Sequence, residues 1–366
     1  MKLSSTLAWL VDLAADSAGT DRFLAELGAH LLADGLPLAG GTLTLDIPHP
    51  LIARRTWLWR AGNGEVIEAL GFARAGPAVD LSPPGEAGRQ WLAGLASGPV
   101  HEDTIGPGGN GPSLCWAGPR AFTADETDQL REAARFAAAP LAAIVARATL
   151  SAALEAYLGR RSAARVLAAP LRRAVGEPIQ AALLYADLRG FTALSDENPP
   201  ALVIAALDAW FDRIAGAVHA FGGEVLKFIG DGILAIFPIA GGEKRAACDA
   251  ALRAVTAAQA GMAHLDRERS LQGLAPLPFG VALHVGEIFW GNIGAADRLD
   301  FTAIGPAVNL VSRLEGLCKP LHMTVLVSGA LAAETETPLI ALGTHTLRGI
   351  ASPCAVFTPP NPASWK

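Results

Sequence analysis

The alternation of apolar and polar positions is most informative in the second half of the chain. Residues 181–186 form a nearly unbroken apolar run that stops at Asp187, a pattern typical of a strand buried on both faces. Farther along, apolar runs at 225–229 and 233–237 flank a Gly-Asp-Gly turn centred on Asp231, which predicts a hairpin. One carboxylate is therefore predicted at a strand tip and a second in a hairpin turn.

Two acidic side chains at the ends of apolar strands are costly to place. Divalent cations held between them would offset that cost, because Mg²⁺ is commonly bound by one or two carboxylates together with substrate phosphates. Taken singly, Asp187 would be a helix N-cap and Asp231 an ordinary turn residue. Taken together, they predict a site for two divalent cations, Mg²⁺ or Mn²⁺, which accept the same oxygen ligands.

The first part of the chain, residues 1–150, has a different pattern. Residues 22–36 have helical spacing, and a Thr123-Ala-Asp-Glu126 capping box opens a long Ala-rich helix. Alternation typical of half-buried strands predicts the short strands 42–47, 56–60, 65–70 and 113–117. Loops rich in Gly and Pro are predicted at 82–88 and 105–112. These elements predict a small α+β unit.

Helical spacing continues beyond this unit, through residues 126–158 with Pro140 as a candidate break, and then from 160 to 173. We interpret residues 151–178 as a helical linker. An apolar stripe at 150–158 suits a parallel helix pair between two copies of the chain, and a hairpin within one copy would give the same pattern. The Trp57/Trp59 pair is expected to pack a sheet, with a ligand pocket as the alternative.

Composition narrows the class of protein. The 366 residues suffice for two domains, and the net charge of −6 without a Lys/Arg run disfavours a nucleic-acid partner. Four scattered cysteines lack the spacing of a zinc site or a disulfide framework. The N-terminus does not resemble a signal peptide, and the apolar stretch 136–146 is shorter than the roughly 20 residues of a spanning helix. We expect a cytoplasmic protein without a membrane span.

Five ordered motifs over roughly 130 residues resemble the class III nucleotidyl cyclase catalytic domain. They are Asp187-Leu-Arg-Gly-Phe-Thr192, Lys227-Phe-Ile-Gly-Asp231-Gly, His284-Val-Gly-Glu287, Trp290-Gly-Asn-Ile-Gly294 and Phe301-Thr-Ala-Ile-Gly-Pro-Ala-Val-Asn309-Leu-Val-Ser-Arg313-Leu-Glu315. The resemblance implies an α+β, ferredoxin-like palm domain at residues 179–360, with a central mixed sheet flanked by helices. In layout alone, residues 1–150 resemble a GAF-type sensor domain, which implies regulation by a small-molecule effector; an unrelated α+β module is the alternative.

The resemblance also implies roles for individual residues. The backbone carbonyl of Leu188 would be a further metal ligand, and Arg348 would contact phosphates. Asn309 would orient the ribose, and Arg313 would stabilise charge on the α-phosphate. Independently, the glycine-led start of a helix at Phe191 and Thr192 offers free amides to phosphate oxygens.

Lys227 and Thr302 match the two positions that select the purine in this family. A lysine donates to adenine N1 and a hydroxyl accepts from N6, so ATP is the expected substrate and cyclic AMP the product. Many members have Asp where this chain has Thr302, while a subgroup has Thr. Pro306-Ala307 is a second departure, because a polar pair is commoner there.

In the family, the two metal-binding Asp residues come from one subunit, and the base, ribose and α-phosphate contacts come from the other. A chain that carries both sets is expected to act as a head-to-tail homodimer with two equivalent sites. Two alternatives stay open at this point. One is a catalytically silent nucleotide-binding module, and the other is a guanylate cyclase, which Lys227 disfavours.

Overall fold

The computed structural model describes residues 4–46, 52–72, 85–106, 111–170, 172–173 and 175–360. The chain folds into two compact units, Met1–Ala152 and Ala153–Lys366.

The first unit is built on an antiparallel five-stranded sheet of order β3-β2-β1-β5-β4. Its strands are β1 (Gly40–Asp46), β2 (Ile52–Arg60), β3 (Val66–Phe72), β4 (His101–Thr104) and β5 (Ser113–Ala117). Its helices are α1 (Ser5–Asp12), α2 (Thr20–Ala33), α3 (Glu86–Leu95) and α4 (Ala124–Leu158), the last of which continues past the unit. The predicted mixture of helices and short strands is present.

Most buried apolar side chains of this sheet and its helices form one core, and a smaller cluster contains Leu92 of α3 with Cys115 and Ala117 of β5. Trp57 and Trp59 are 7% and 2% exposed and belong to that core, so the packing interpretation of the tryptophan pair is confirmed. The loop predicted at 82–88 is wrong from Glu86 onward, because α3 begins there after Gly85, whose φ is +81°. Residues 82–84 of that loop lie outside the described residues. The same holds for residues 107–110 of the loop predicted at 105–112.

Helix α4 is continuous for 35 residues and passes through Pro140 without a break. The predicted capping box is confirmed, since Thr123 N donates to Glu126 Oε2 at 2.8 Å and Glu126 N donates to Thr123 Oγ1 at 3.2 Å. The expected break at Pro140 is wrong. The helix buries Leu130, Ala137 and Leu141 along one stripe, and that burial offsets the roughly 3 kcal/mol cost of an interior proline.

By length and composition alone, α4 would be able to cross a bilayer. Its apolar part is at least 18 residues long and is mostly unburied, so it is longer than the stretch 136–146 indicated by the sequence. The core helix of a soluble protein meets the same criterion. One such helix is weak support for a span, and the expected absence of one stays a prediction.

The second unit is a mixed sheet of order β12-β13-β11-β9-β6-β8-β7, with β10 paired to β9. Only β11 and β9 are paired in parallel among its described strands. The strands are β6 (Gly176–Leu188), β7 (Glu224–Ile229), β8 (Gly232–Pro238), β9 (Phe279–Gly294), β10 (Leu299–Ile304), β11 (Val325–Ser328), β12 (Ile340–His345) and β13 (Cys354–Thr358). The helices are α5 (Arg160–Ala168), α6 (Phe191–Glu197), α7 (Pro200–Ala220), α8 (Lys244–Leu271), α9 (Pro306–Glu315) and α10 (Gly329–Ala332).

Strand β6 is central to this sheet and is covered on both faces, as its apolar run predicts. Ala182, Leu184 and Ala186 lie in the core that contains α7 and α8. Ala181 and Leu183 belong to the opposite core, with α9. Near the end of the strand, Asp187 is only half-buried, between the buried residues Ala186 and Leu188.

Candidate active site

Asp187 lies at the end of β6, between two glycines on the neighbouring strands. It is paired with Gly232 of β8 and with Gly280 of β9. A Cβ atom on Gly232 would lie 3.2 Å from Asp187 Oδ1 and 3.0 Å from the Tyr185 hydroxyl. Glycine at 232 therefore leaves room for the Asp187 carboxylate beside the hairpin.

Asp231 occupies the turn between β7 and β8, as predicted. The preceding Gly230 has a φ of +62°, a left-handed conformation that glycine adopts without strain. The indole Nε1 of Trp210, a fully buried residue of α7, donates to the Asp231 carbonyl oxygen at 3.1 Å. This hydrogen bond holds the turn against α7, which packs on the sheet.

The two carboxyl groups are close enough to interact directly. Burial, and then the negative charge of Asp231, raise the pKa of Asp187 to about 6, although the Arg189 guanidinium opposes the shift. A side-chain hydrogen bond between the two acids adds to the rise in pKa. This is the electrostatic condition in which a bound cation is most favourable, because it neutralises two crowded carboxylates.

Sequence reasoning missed a buried ion pair behind this site. Arg189 Nη2 contacts the carboxylate of Glu315 and also donates to the Glu315 carbonyl oxygen at 3.3 Å. The two side chains are 17% and 5% exposed. Burial raises the pKa of Glu315 to about 7, against the opposing charge of Arg189. The pair joins the chain just after Asp187 to the last residue of α9.

A second missed residue is Asp300, on β10. The Lys227 ammonium, on β7, contacts the Asp300 carboxylate. Thr302 lies two residues farther along β10 and is only 8% exposed. Of the two residues that the sequence analysis predicts to select the purine, Lys227 is therefore half-exposed and paired with an acid, whereas Thr302 is buried.

The remaining predicted residues are placed around these groups. Phe191 and Thr192 open α6 directly after Gly190, whose φ is +73°, as predicted. Asn309 and Arg313 are both exposed and stand four residues apart on α9, which places them on one face of that helix.

Arg348 is exposed in the loop between β12 and β13. Among the described residues, neither Arg348 nor Arg313 forms an ion pair. Within one copy of the chain, Asp187 lies beside Asp231 and Lys227 contacts Asp300. Among the described residues, no hydrogen bond or ion pair joins Arg313 or Arg348 to the two carboxylates.

Comparison with known proteins identifies a family that matches the second unit. Residues 177–350 match the family described as the adenylate and guanylate cyclase catalytic domain. An adenylate cyclase of Anabaena cylindrica is 31% identical over 160 residues, which are 43% of this chain and 31% of that protein. Adenylate cyclase 1 of Rhizobium meliloti (strain 1021) is 30% identical over 176 residues, 48% of this chain and 26% of that protein.

A solved structure shares the fold. A bacterial light-regulated adenylyl cyclase aligns with a TM-score of 0.50 and 25% identity, over 62% of this chain and 65% of its own. This likeness confirms the predicted cyclase-type α+β fold, whereas a GAF-type fold for the first unit stays a prediction. The chain spans less than a third of the two curated relatives. Residues 177–350 are therefore an adenylate and guanylate cyclase catalytic domain of class III.

Proposed function

We propose that the chain is an adenylate cyclase, which converts ATP to 3′,5′-cyclic AMP and pyrophosphate. The observation that carries the proposal is the approach of Asp187 to Asp231 at the open end of β6, inside the matched domain. Lys227 supports adenine over guanine, because an ammonium group donates to adenine N1 but has no acceptor for a protonated guanine N1. The two curated relatives described above are both called adenylate cyclases.

The residues fit two divalent cations, Mg²⁺ or Mn²⁺. Asp187, Asp231 and the backbone carbonyl of Leu188 would hold them, and substrate phosphates would complete the ligand shell. When bound, the cations lower the pKa of the attacking hydroxyl and neutralise phosphate charge.

The chain's own polar groups position the nucleotide. The amides of Phe191 and Thr192 and the guanidinium of Arg348 bind phosphate oxygens. Asn309 orients the ribose, and Arg313 stabilises negative charge on the α-phosphate. The ribose 3′-oxygen forms a bond to the α-phosphorus while the bond from that phosphorus to the bridging oxygen breaks. Pyrophosphate leaves with the electron pair, and the hydroxyl proton passes to solvent.

We propose that two copies of the chain share each site. Three apolar side chains of β7 and β10 are exposed in one copy: Phe228 at 51%, Ile229 at 46% and Ile304 at 49%. A second copy would cover such a surface. Asp187→Ala and Arg313→Ala proteins, each inactive alone, should then regain activity when mixed. Failure of the mixture, with mixed dimers confirmed, would contradict shared sites.

The remaining expectations are proposals of the same kind. We propose that residues 1–150 form a regulatory unit that responds to a small-molecule effector and acts through the linker at 151–178, in a cytoplasmic protein. Removal of residues 1–150 should change the basal rate of the catalytic part. An unchanged rate at every tested nucleotide concentration would contradict regulation by the first unit.

The direct test is product analysis. Purified protein is incubated with ATP or GTP and Mg²⁺ or Mn²⁺, and the products are separated by chromatography. Cyclic AMP from the native chain, and none from Asp231→Ala, is expected. Cyclic GMP as the main product would instead identify a guanylate cyclase. No cyclic nucleotide under any condition would indicate a silent nucleotide-binding module.

A further inference from the structure

A cavity of about 370 Å³ lies at one end of the sheet in the first unit. Its wall combines the end of β1, the residues that follow β4 and precede β5, and two turns of α4. All of these residues belong to the first unit. Ligand pockets typically measure about 300–1,000 Å³, so the cavity is large enough to hold a small molecule.

The wall of this cavity is mainly apolar. Leu45, Ile105 and Leu141 line it, are buried, and belong to the main core of the unit. Asp46 is the one charged residue of the described lining, and its Oδ1 accepts a hydrogen bond from Arg54 Nε at 2.8 Å. Because the described lining contains no Lys, Arg or His, a carboxylate or phosphate on a ligand would be buried there without a partner. Water is also a poor occupant, since it needs about two to four polar partners.

Helix α4 supplies one continuous stripe of the lining. Ala138, Leu141, Ala142 and Val145 are spaced three or four positions apart, so they lie on one face of the helix over two turns. Pro140 lies within this stretch and has no N–H to donate to the preceding turn. The helix therefore lacks one backbone hydrogen bond beside the cavity, which makes bending less costly there. A molecule that presses on this stripe would redirect a helix that continues to Leu158.

We propose that this cavity binds a small, uncharged, apolar molecule, and that the bound molecule regulates the cyclase through α4. An apolar cavity of about 150 Å³ holds benzene, so a cavity of about 370 Å³ suits a compound of two fused rings. The lack of a cation on the described lining disfavours nucleotides and other anions. The regulatory part of this inference rests on the proposed adenylate cyclase function, whereas binding is measured without turnover.

The test uses indole, an uncharged compound of two fused rings, with the full chain. Isothermal titration calorimetry gives the Kd of indole and of its charged counterpart, indole carboxylate. Ala138→Leu places three more carbon atoms on the cavity wall. Ala143→Leu makes the same change at an exposed position of α4 outside the lining and is the matched control. Thermal unfolding of each protein checks that it is folded.

Indole should bind the native chain and Ala143→Leu with Kd values within about twofold of each other. Ala138→Leu should bind indole about tenfold more weakly, because the larger side chain takes up space that the ligand needs. Indole carboxylate should bind the native chain about tenfold more weakly than indole does. Indole should raise the melting temperature of the native chain by mass action, and that of Ala138→Leu much less. Saturating indole should change kcat for cyclic AMP formation by about twofold or more in the native chain, and this response should be lost in Ala138→Leu.

The outcomes separate the binding site from the proposed function. Absence of binding, or equal binding by the native chain and Ala138→Leu, overturns the site. Binding that weakens as the protein concentration rises also overturns it, because a second copy of the chain would then cover the cavity. Binding without a change in kcat overturns regulation through α4. If the native chain makes no cyclic AMP, the proposed function and the regulatory part both fail, and calorimetry alone decides whether the site exists.

Discussion

Replacing Trp210 with phenylalanine should loosen the turn that carries Asp231. The Trp210 indole is fully buried, packs 5.1 Å from the Phe279 ring, and donates its only N–H to the Asp231 carbonyl oxygen at 3.1 Å. Phenylalanine keeps an aromatic ring but loses this hydrogen bond, whose net contribution is about 1 kcal/mol. It also leaves space where the second indole ring was.

Trp290 offers a matched control in the same unit. It is 2% exposed, and its Nε1 has no hydrogen-bond partner within the described part of the chain. Trp290→Phe removes the same atoms without breaking a hydrogen bond, and the phenyl ring can retain part of the contact with the Arg165 guanidinium, which lies 4.3 Å from the indole. We therefore expect Trp210→Phe to be the more destabilising change, by about 1 kcal/mol.

Two measurements test this prediction. Urea unfolding gives the free energy of unfolding of each variant, and cyclase activity as a function of Mn²⁺ concentration gives the metal concentration at half-maximal rate. Trp210→Phe should raise that concentration several-fold, since the Asp231 turn is less fixed, and Trp290→Phe should not. Equal stability losses, with equal metal dependence, would refute a specific role of the Trp210 hydrogen bond.

Three further predictions concern buried groups. Glu224 is 4% exposed, and its Oε1 accepts hydrogen bonds from Ser162 N at 2.9 Å and Ser162 Oγ at 2.7 Å. Glu224→Gln keeps an acceptor oxygen but loses the charge that strengthens both bonds, so it should cost about 1 kcal/mol in urea unfolding. Glu177→Gln, in an exposed ion pair, should stay within about 0.5 kcal/mol. Gly280→Ala would place a Cβ against the Arg189–Glu315 pair and should reduce both stability and activity; a native-like melting temperature would contradict this. The pKa of Glu315 is about 7 in the folded chain against 4.5 unfolded, so the folded state binds more protons between these values and stability should fall as pH rises from about 4.5 to about 7. A Glu315→Gln protein with the same slope would contradict that origin.

The sequence predicted those parts of the site that are marked by a pattern among neighbouring residues. An apolar run ending at Asp187 and a Gly-Asp-Gly turn at Asp231 each define their own element within about ten residues. Asp300 and Glu315 could not be found in this way, because their partners lie 73 and 126 positions away. One signal was present for Glu315. Glu315 follows Arg313 by two positions on a helix, so the two side chains lie on different faces. An exposed Arg313 therefore indicates that Glu315 faces the core.

The first unit was harder to predict for a different reason. Strand β4 consists of His-Glu-Asp-Thr, with alternating half-buried and exposed positions, and no apolar run marks it. Helix α3 begins directly after a Pro-Pro-Gly turn signal, which favoured a loop. In both cases contacts with the rest of the sheet override local preference.

Helix α9 has a consequence for how the two proposed sites communicate. Its exposed face carries Asn309 and Arg313. Its last residue, Glu315, forms an ion pair with Arg189, which follows Asp187 by two positions. In the proposed dimer, the first two residues serve one nucleotide and Asp187 serves the other. If nucleotide binding at one site shifts the end of β6, the shift would also displace Asn309 and Arg313, which contact the nucleotide at the other site. Binding at one site would then alter the rate of turnover at the other.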